Sequence, residues 1–154
     1  MKRANFLIGV LIAVAVGLAL SGCATTYNEM KAVLPPEKQE VMATVDAFYA
    51  AKTLAEFMVV TTKDVVLKSS YIGGSHTAES YWRQYTAKKS ADKSSRIRTM
   101  RNLNVEISGN TAEVSYIVDV IKRGVGDRDW SGSVSYLFKL RREGGVWKIY
   151  YYDQ

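Results

Sequence analysis

Hydrophobic positions follow three rhythms along this chain. From Phe6 to Leu20 they run without a break, "FLIGVLIAVAVGLAL", fifteen residues with no charge. Residues 24–35 have no sustained period, end at the pair Pro35-Pro36 and read as a tether. A helical period then begins. Pro36 suits the first helical position, and Glu37 follows in the first turn, where the helix dipole favours a carboxylate. Val41, Met42, Val45, Phe48 and Tyr49 share one face at helical spacing. A second helix is predicted over 53–60, with Thr53 as cap and Glu56 three residues on. A strand is predicted over 65–72, stopped by Gly73 and Gly74. The run "SHTAESYWRQYTA" predicts a third helix, capped by Ser75 or Thr77, with Ala78, Tyr81, Trp82 and Tyr85 as its apolar stripe. Residues 88–95 are polar and charged and read as a loop.

The third rhythm is alternation. Strands are predicted over 97–107, 111–121, 130–140 and 146–152, joined by "SGN", "GVGD" and "EGG". Short glycine turns between alternating strands argue for an antiparallel meander. Helices followed by such a sheet make an α+β layout. Alternation also assigns faces. Val114, Tyr116, Val118 and Val120 oppose Glu113, Ser115 and Asp119; Val134, Tyr136, Phe138 and Leu140 oppose Ser131, Ser133, Ser135 and Lys139; Trp147, Ile149 and Tyr151 oppose Lys148. The apolar set should cover the helices. The serine-rich set, with Ile117 and Leu137, should face water, a partner protein or a second copy of the chain.

Charge changes the reading of the N-terminus. Lys2 and Arg3 precede the apolar run, which is short of the roughly 20 residues a bilayer-spanning helix needs. A basic start, a short apolar run and small residues form the pattern of a secretory signal peptide. The next residues, "LSGC" from Leu20 to Cys23, resemble the lipobox of bacterial lipoproteins. That resemblance implies cleavage between Gly22 and Cys23 and acylation of Cys23, with palmitate among the acyl groups. Ala24, rather than Asp, follows the cysteine. In a double-membrane bacterium this implies the outer membrane, facing the periplasm. The expected organisation is a lipoprotein signal peptide over 1–22, a lipidated tether over 23–35 and one domain over 36–154. Twelve tether residues reach at most about 40 Å. Cys23 is the only cysteine, so no disulfide, cysteine metal site or thiol nucleophile is expected within the domain. Residues 23–154 carry 19 Lys and Arg against 15 Asp and Glu, a mildly basic balance.

Three stretches resemble the NTF2-like superfamily, whose members include SnoaL-like proteins and ketosteroid isomerase. "VDAFYAAKTLAEFMVVTTKDVVL" is similar to its first two helices and entry into strand one; "IGGSHTAESYW" to its glycine-led turn into helix three; "FKLRREGGVWKIYYYD" to its closing hairpin. The resemblance implies a cone: three N-terminal helices packed on a curved antiparallel sheet, with a pocket at one end. In enzymes of the superfamily that pocket carries a carboxylate base, commonly on the first strand. Here the strand offers Lys68, Ser69, Ser70 and Tyr71, with no Asp or Glu. A lysine serves as base only when deeply desolvated.

Other candidates are weaker. Asp46 flanks the apolar stripe and reads as a solvated carboxylate. His76 is the only histidine, at the start of a helix, without partners for a triad or a metal cluster. No pattern assigns a catalytic residue, a metal site or a cofactor. The inward positions of Tyr49, Tyr116, Tyr136 and Trp147 point to core with a partly apolar ligand pocket. Arg101 shares parity with Leu103, Val105 and Ile107, which would place it at the cone mouth against an anionic ligand. Lys88, Lys89, Lys93, Arg96, Arg98 and Arg101 form a basic run suited to a solvated edge or to lipid headgroups. No nucleic-acid-binding motif appears. The expected function is a membrane-anchored, non-catalytic module that binds a small apolar or anionic ligand or another envelope protein. The alternatives are a SnoaL-like isomerase or hydratase acting on a small hydrophobic substrate, and a subunit of an envelope or secretion assembly.

Overall fold

A computed structural model describes residues 26–92, 94–124 and 129–154. The expected signal peptide over 1–22, Cys23 and Lys93 lie outside the described residues. Four helices pack on one curved, six-stranded sheet. In chain order these are α1 (Tyr27–Ala32), α2 (Pro36–Ala50), α3 (Leu54–Val59), β1 (Thr61–Lys68), β2 (Ser75–His76), α4 (Ala78–Ala91), β3 (Ser95–Ser108), β4 (Thr111–Arg123), β5 (Trp130–Glu143) and β6 (Val146–Asp153). The sheet order is β2-β1-β6-β5-β4-β3. All neighbours are antiparallel except β1 and β6, which run parallel. Among the described residues no helix is long and apolar enough to cross a membrane.

The helices start where local chemistry provides a cap. Pro36 opens α2, whose Val41, Met42, Val45 and Phe48 are all buried. The Thr53 hydroxyl accepts from the Glu56 N–H at 3.2 Å, and the Glu56 carboxylate accepts from the Lys52 N–H at 2.7 Å. Thr77, not Ser75, caps α4. This helix continues through 88–91, where the polar, charged sequence predicts a loop. Lys88 and Lys89 sit in its last turn, where cations complement the helix dipole. The main departure comes before Pro36. Part of the expected tether is helical: Thr26 and Glu29 form a reciprocal capping box that starts α1. Among the described residues four helices, where three were expected, therefore face the sheet.

The first strand also starts early, at Thr61, because the buried Thr61 and Thr62 enter the ladder beside β6. Residues 69–72 form the turn after it. Gly73 and Gly74, with φ of 78° and 82°, carry that turn into the short β2.

Two irregularities set which side chains face inward. Between Arg101 and Asn104 the β3–β4 register slips by one residue, and Asn102 takes a φ of 56°. Asparagine tolerates this left-handed conformation better than most residues. N-terminal to this bulge, Arg96, Arg98 and Met100 pair opposite the inner-face register of Lys122, Val120 and Val118; beyond it Leu103, Val105 and Ile107 face inward. The second slip lies between Lys139 and Leu140 on β5, opposite Tyr150 on β6. It puts Tyr152 in the core at 1% exposure, where simple alternation places Tyr151.

The core is aromatic at its centre. The Phe48 ring meets Phe57 at 4.7 Å, Tyr152 at 5.3 Å and Phe138 at 5.6 Å between centroids. Such pairs contribute about 0.5–1.5 kcal/mol beyond their burial. Packing of this kind must stabilise the domain, since the chain has one cysteine and can form no internal disulfide.

Candidate functional site

Four elements leave a space between them at one end of the sheet. Tyr49 comes from α2, Tyr85 from α4, Tyr116 from β4 and Tyr136 from β5; together with Met100 and Val118 they wall a cavity of about 580 Å³. The Tyr49 and Tyr116 hydroxyls are hydrogen-bonded at 3.0 Å. The Tyr116 ring stacks on Tyr136 with centroids 5.0 Å apart and planes 17° from parallel. Gln154 donates its amide to the Tyr136 hydroxyl at 3.1 Å, and its amide oxygen accepts from Tyr152 at 2.9 Å and from Ser69 at 3.2 Å. Gln154 thus holds the Tyr136 wall of the site in place.

Desolvation pushes the phenols of Tyr49, Tyr116 and Tyr136 above the ordinary tyrosine range. Arg98 offsets part of that rise at Tyr136. These hydroxyls therefore stay protonated at neutral pH and act as neutral donors and acceptors. Tyr49 keeps 42% of its surface accessible while lining the cavity.

Helix α1 lies at the entrance, and Thr26 and Tyr27 line the cavity. The Tyr27 hydroxyl donates to the Asp46 carboxylate, and the Lys31 ammonium pairs with the same carboxylate. Lys31 also stands 5.6 Å from the Tyr27 ring centre. Asp46 is thus half-buried and doubly held, where the sequence suggested a solvated carboxylate.

Two further chambers adjoin this one, of about 320 and 610 Å³, and Arg98 and Tyr136 line all three. In the smaller, Asp92 accepts from the Ser94 N–H at 2.9 Å and the Ser94 hydroxyl at 2.5 Å, and pairs with Arg96. The Ser94 hydrogen bonds, with help from Arg96, hold the Asp92 carboxyl well below the usual range. In the larger, the Trp130 ring lies against Gly132, where a Cβ would come within 2.5 Å of it.

Of the residues expected at a pocket, Tyr49, Tyr116 and Tyr136 come together here. Arg101 and Trp147 do not. The bulge at Asn102 turns Arg101 to the outer face, where its Nε donates to Asp119 at 2.9 Å and a terminal nitrogen donates at 3.3 Å. Asp119 also accepts from Ser133 at 2.5 Å. Arg98 holds the inward position instead, paired across the ladder with Val120. Trp147 is 4% exposed and lies in the core under the Arg142 guanidinium, 4.7 Å from the ring centre. Arg142 reaches Glu40, in the N-terminal half of α2 and away from Tyr49.

Neither reserve base has the geometry for that role. Lys68 stands 5.3 Å from the Tyr151 ring centre, and hydrogen bonding to Tyr151 holds its pKa above the ordinary lysine value. His76 donates from Nε2 to the Gly73 carbonyl at 2.7 Å, and its Nδ1 accepts from Gln84 at 3.2 Å. On the outer face Ile117 and Leu137 are half-exposed beside the Asp119–Arg101–Ser133 cluster.

No family model matches the sequence, and no curated protein is similar to it. Solved structures do resemble the fold. A "putative ketosteroid isomerase" from Shewanella frigidimarina NCIMB 400 superposes with a TM-score of 0.61 at 18% identity, covering 74% of this chain and 93% of that one. An NTF2-like protein of unknown function from Pseudomonas putida KT2440 gives 0.61 at 13%, covering 76% and 84%. A "putative scytalone dehydratase" from Novosphingobium aromaticivorans DSM 12444 gives 0.56 at 17%, covering 76% and 81%. The fold is NTF2-like.

Proposed function

We propose that this protein is a lipoprotein of the cell envelope, held by acylated Cys23 at the periplasmic face of the outer membrane, whose NTF2-like domain binds a small ligand. One observation carries the binding reading. The cavity of about 580 Å³ has tyrosine, methionine and valine walls, and among its described lining residues there is no carboxylate and no imidazole. Its size falls within the usual range for small-molecule sites, and its hydroxyls are oriented by each other and by Gln154. Such a site can hold an apolar body and fix its orientation. It offers no group to take a proton near neutral pH.

The lipid anchor rests on the lipobox residues Leu20 to Cys23 and the short apolar run before them. Purification of the full chain from native membranes, followed by mass spectrometry of co-purified small molecules, tests the binding reading. A stoichiometric apolar compound that is lost on filling the cavity with Val118→Trp is the expected result. Cys23→Ser should leave an unprocessed precursor without incorporated fatty acid; normal acylation of that variant defeats the anchoring reading.

A second reading is supported by the Tyr49–Tyr116 hydroxyl pair. A hydrogen-bonded tyrosine pair can stabilise an enolate-like oxygen, so an isomerase or hydratase acting on a small hydrophobic substrate is the alternative. Solvent-deuterium exchange into apolar ketones, abolished by Tyr116→Phe, would favour it over simple binding.

A further inference from the structure

We infer that the ligand of this cavity is an amphipathic anion, an apolar body bearing one carboxylate, and that Arg98, seconded by Lys89, receives the carboxylate. This rests on the binding reading above and names the ligand class.

The argument starts from the basic run and what each cation already meets. Arg96 is paired with Asp92 and stacked over Tyr71 at 5.3 Å from the ring centre. Lys88 donates to the Tyr71 carbonyl and stands 4.6 Å from the centre of the same ring. Arg101 is committed to Asp119. Of the members that lie among the described residues, two remain. There Arg98 has no carboxylate partner, and Lys89 meets the Tyr85 ring, 5.8 Å from its centre, and no carboxylate. Both line the main cavity, and both also line the smaller chamber beside it.

The rest of the cavity is electrically quiet. Its tyrosines are neutral, and Tyr49 and Tyr116 satisfy each other. The Asp92 carboxylate in the smaller chamber is taken up by Arg96 and Ser94, so Arg98 and Lys89 have no carboxylate of their own, and a bound anion relieves their mutual repulsion. A guanidinium presents paired donors that match a carboxylate in two parallel hydrogen bonds; the lysine adds a point charge. The tyrosine, methionine and valine walls supply the complement for the apolar part. The placement of Arg98 is built into the fold, because the Asn102 bulge separates the inward Arg98 from the outward Arg101.

The test is a matched pair of probes on the full-length protein in lipid nanodiscs, with empty discs as the blank. Naphthoate and naphthylmethanol share an apolar body and differ in charge. Titration calorimetry should show naphthoate binding on the order of tenfold more tightly, the size expected of charge-assisted hydrogen bonds. Arg98→Gln should remove most of that preference, lowering naphthoate affinity several-fold more than naphthylmethanol affinity. Lys89→Gln should narrow the preference, and Arg98→Lys should keep part of it. Melting curves of each variant check that the fold persists. Equal affinity of the two probes for the wild type overturns the inference while leaving the binding reading intact. So does a full preference in the Arg98→Gln, Lys89→Gln double variant. Failure of both probes to bind defeats the binding reading and the inference together.

Discussion

The two ends of the sheet use the same strands for opposite purposes. Beyond the Asn102 bulge, Val105, Val114, Leu140 and Ile149 are at most 1% exposed and belong to one core cluster. Toward the other end, Val118 and Val120 rise to 7% and 8%, and Met100, Val134 and Tyr136 are only partly covered. The charges differ in the same sense. At the closed end Arg141 pairs with Asp64 and Glu143, Lys139 with Glu113 and Arg142 with Glu40. At the open end Arg98 and Lys89 have no carboxylate among the described residues. One end is built to hold the chain together. The other keeps space and unbalanced charge, which cost stability and, on the binding proposed above, would serve a ligand.

Five substitutions would break or sharpen this contrast. Leu140→Ala, at the closed end, should destabilise the protein by about 2–5 kcal/mol in urea unfolding, while Met100→Ala at the cavity wall costs less than about 1 kcal/mol. Comparable losses at both ends would erase the distinction. Asn102→Val forces a β-branched residue into a left-handed conformation and should cost about 1–3 kcal/mol. It should also disturb the register that separates Arg98 from Arg101, visible as altered amide exchange along β3. Tyr116→Phe removes one hydroxyl from the pair with Tyr49 and should cost about 1 kcal/mol or less, since the cavity lets water replace it. Ligand affinity should change more than stability. The smallest effect concerns acid. Asp92 has its carboxyl lowered by Ser94 and Arg96, so its contribution is present above the unfolded carboxyl value near ~3.9 and is lost as pH falls below it. Asp92→Asn should flatten the acid limb of a stability–pH profile and leave the neutral region nearly unchanged.

The features that could be read from the sequence are those written in local chemistry. Thr53 and Thr77 mark helix starts because each hydroxyl caps a backbone N–H, and Pro36 marks one because its fixed φ suits the first helical position. Strand alternation from Val114 to Val120 survives into the structure because β4 is central and regular. Parity failed where a single residue slips. Nothing in "MRNLN" announces that Asn102 adopts a positive φ, and without that fact Arg101 and Leu103 share a face. The same holds at Tyr150, where the slip exchanges Tyr151 for Tyr152. Arg98 was visible only as one of six basic residues, because its distinction is a lack of partners, which is a tertiary property. Trp147 is buried as its alternation implies, but burial does not say at which end of α2. Helix α1 escaped a search for periodic burial because it buries no residue fully. Its capping box, Thr26 with Glu29, was the signal available.

That short helix has a geometric consequence. Tyr27 is tied to Asp46 and lines the cavity, and three peptide steps separate Thr26 from Cys23. With Cys23 acylated as proposed, those steps span no more than about 11 Å. The domain then hangs on a short leash rather than a long one. On that proposal Thr26 and Tyr27, which line the cavity, would stay close to the headgroup layer, and a molecule leaving the leaflet sideways would have a short path to the site.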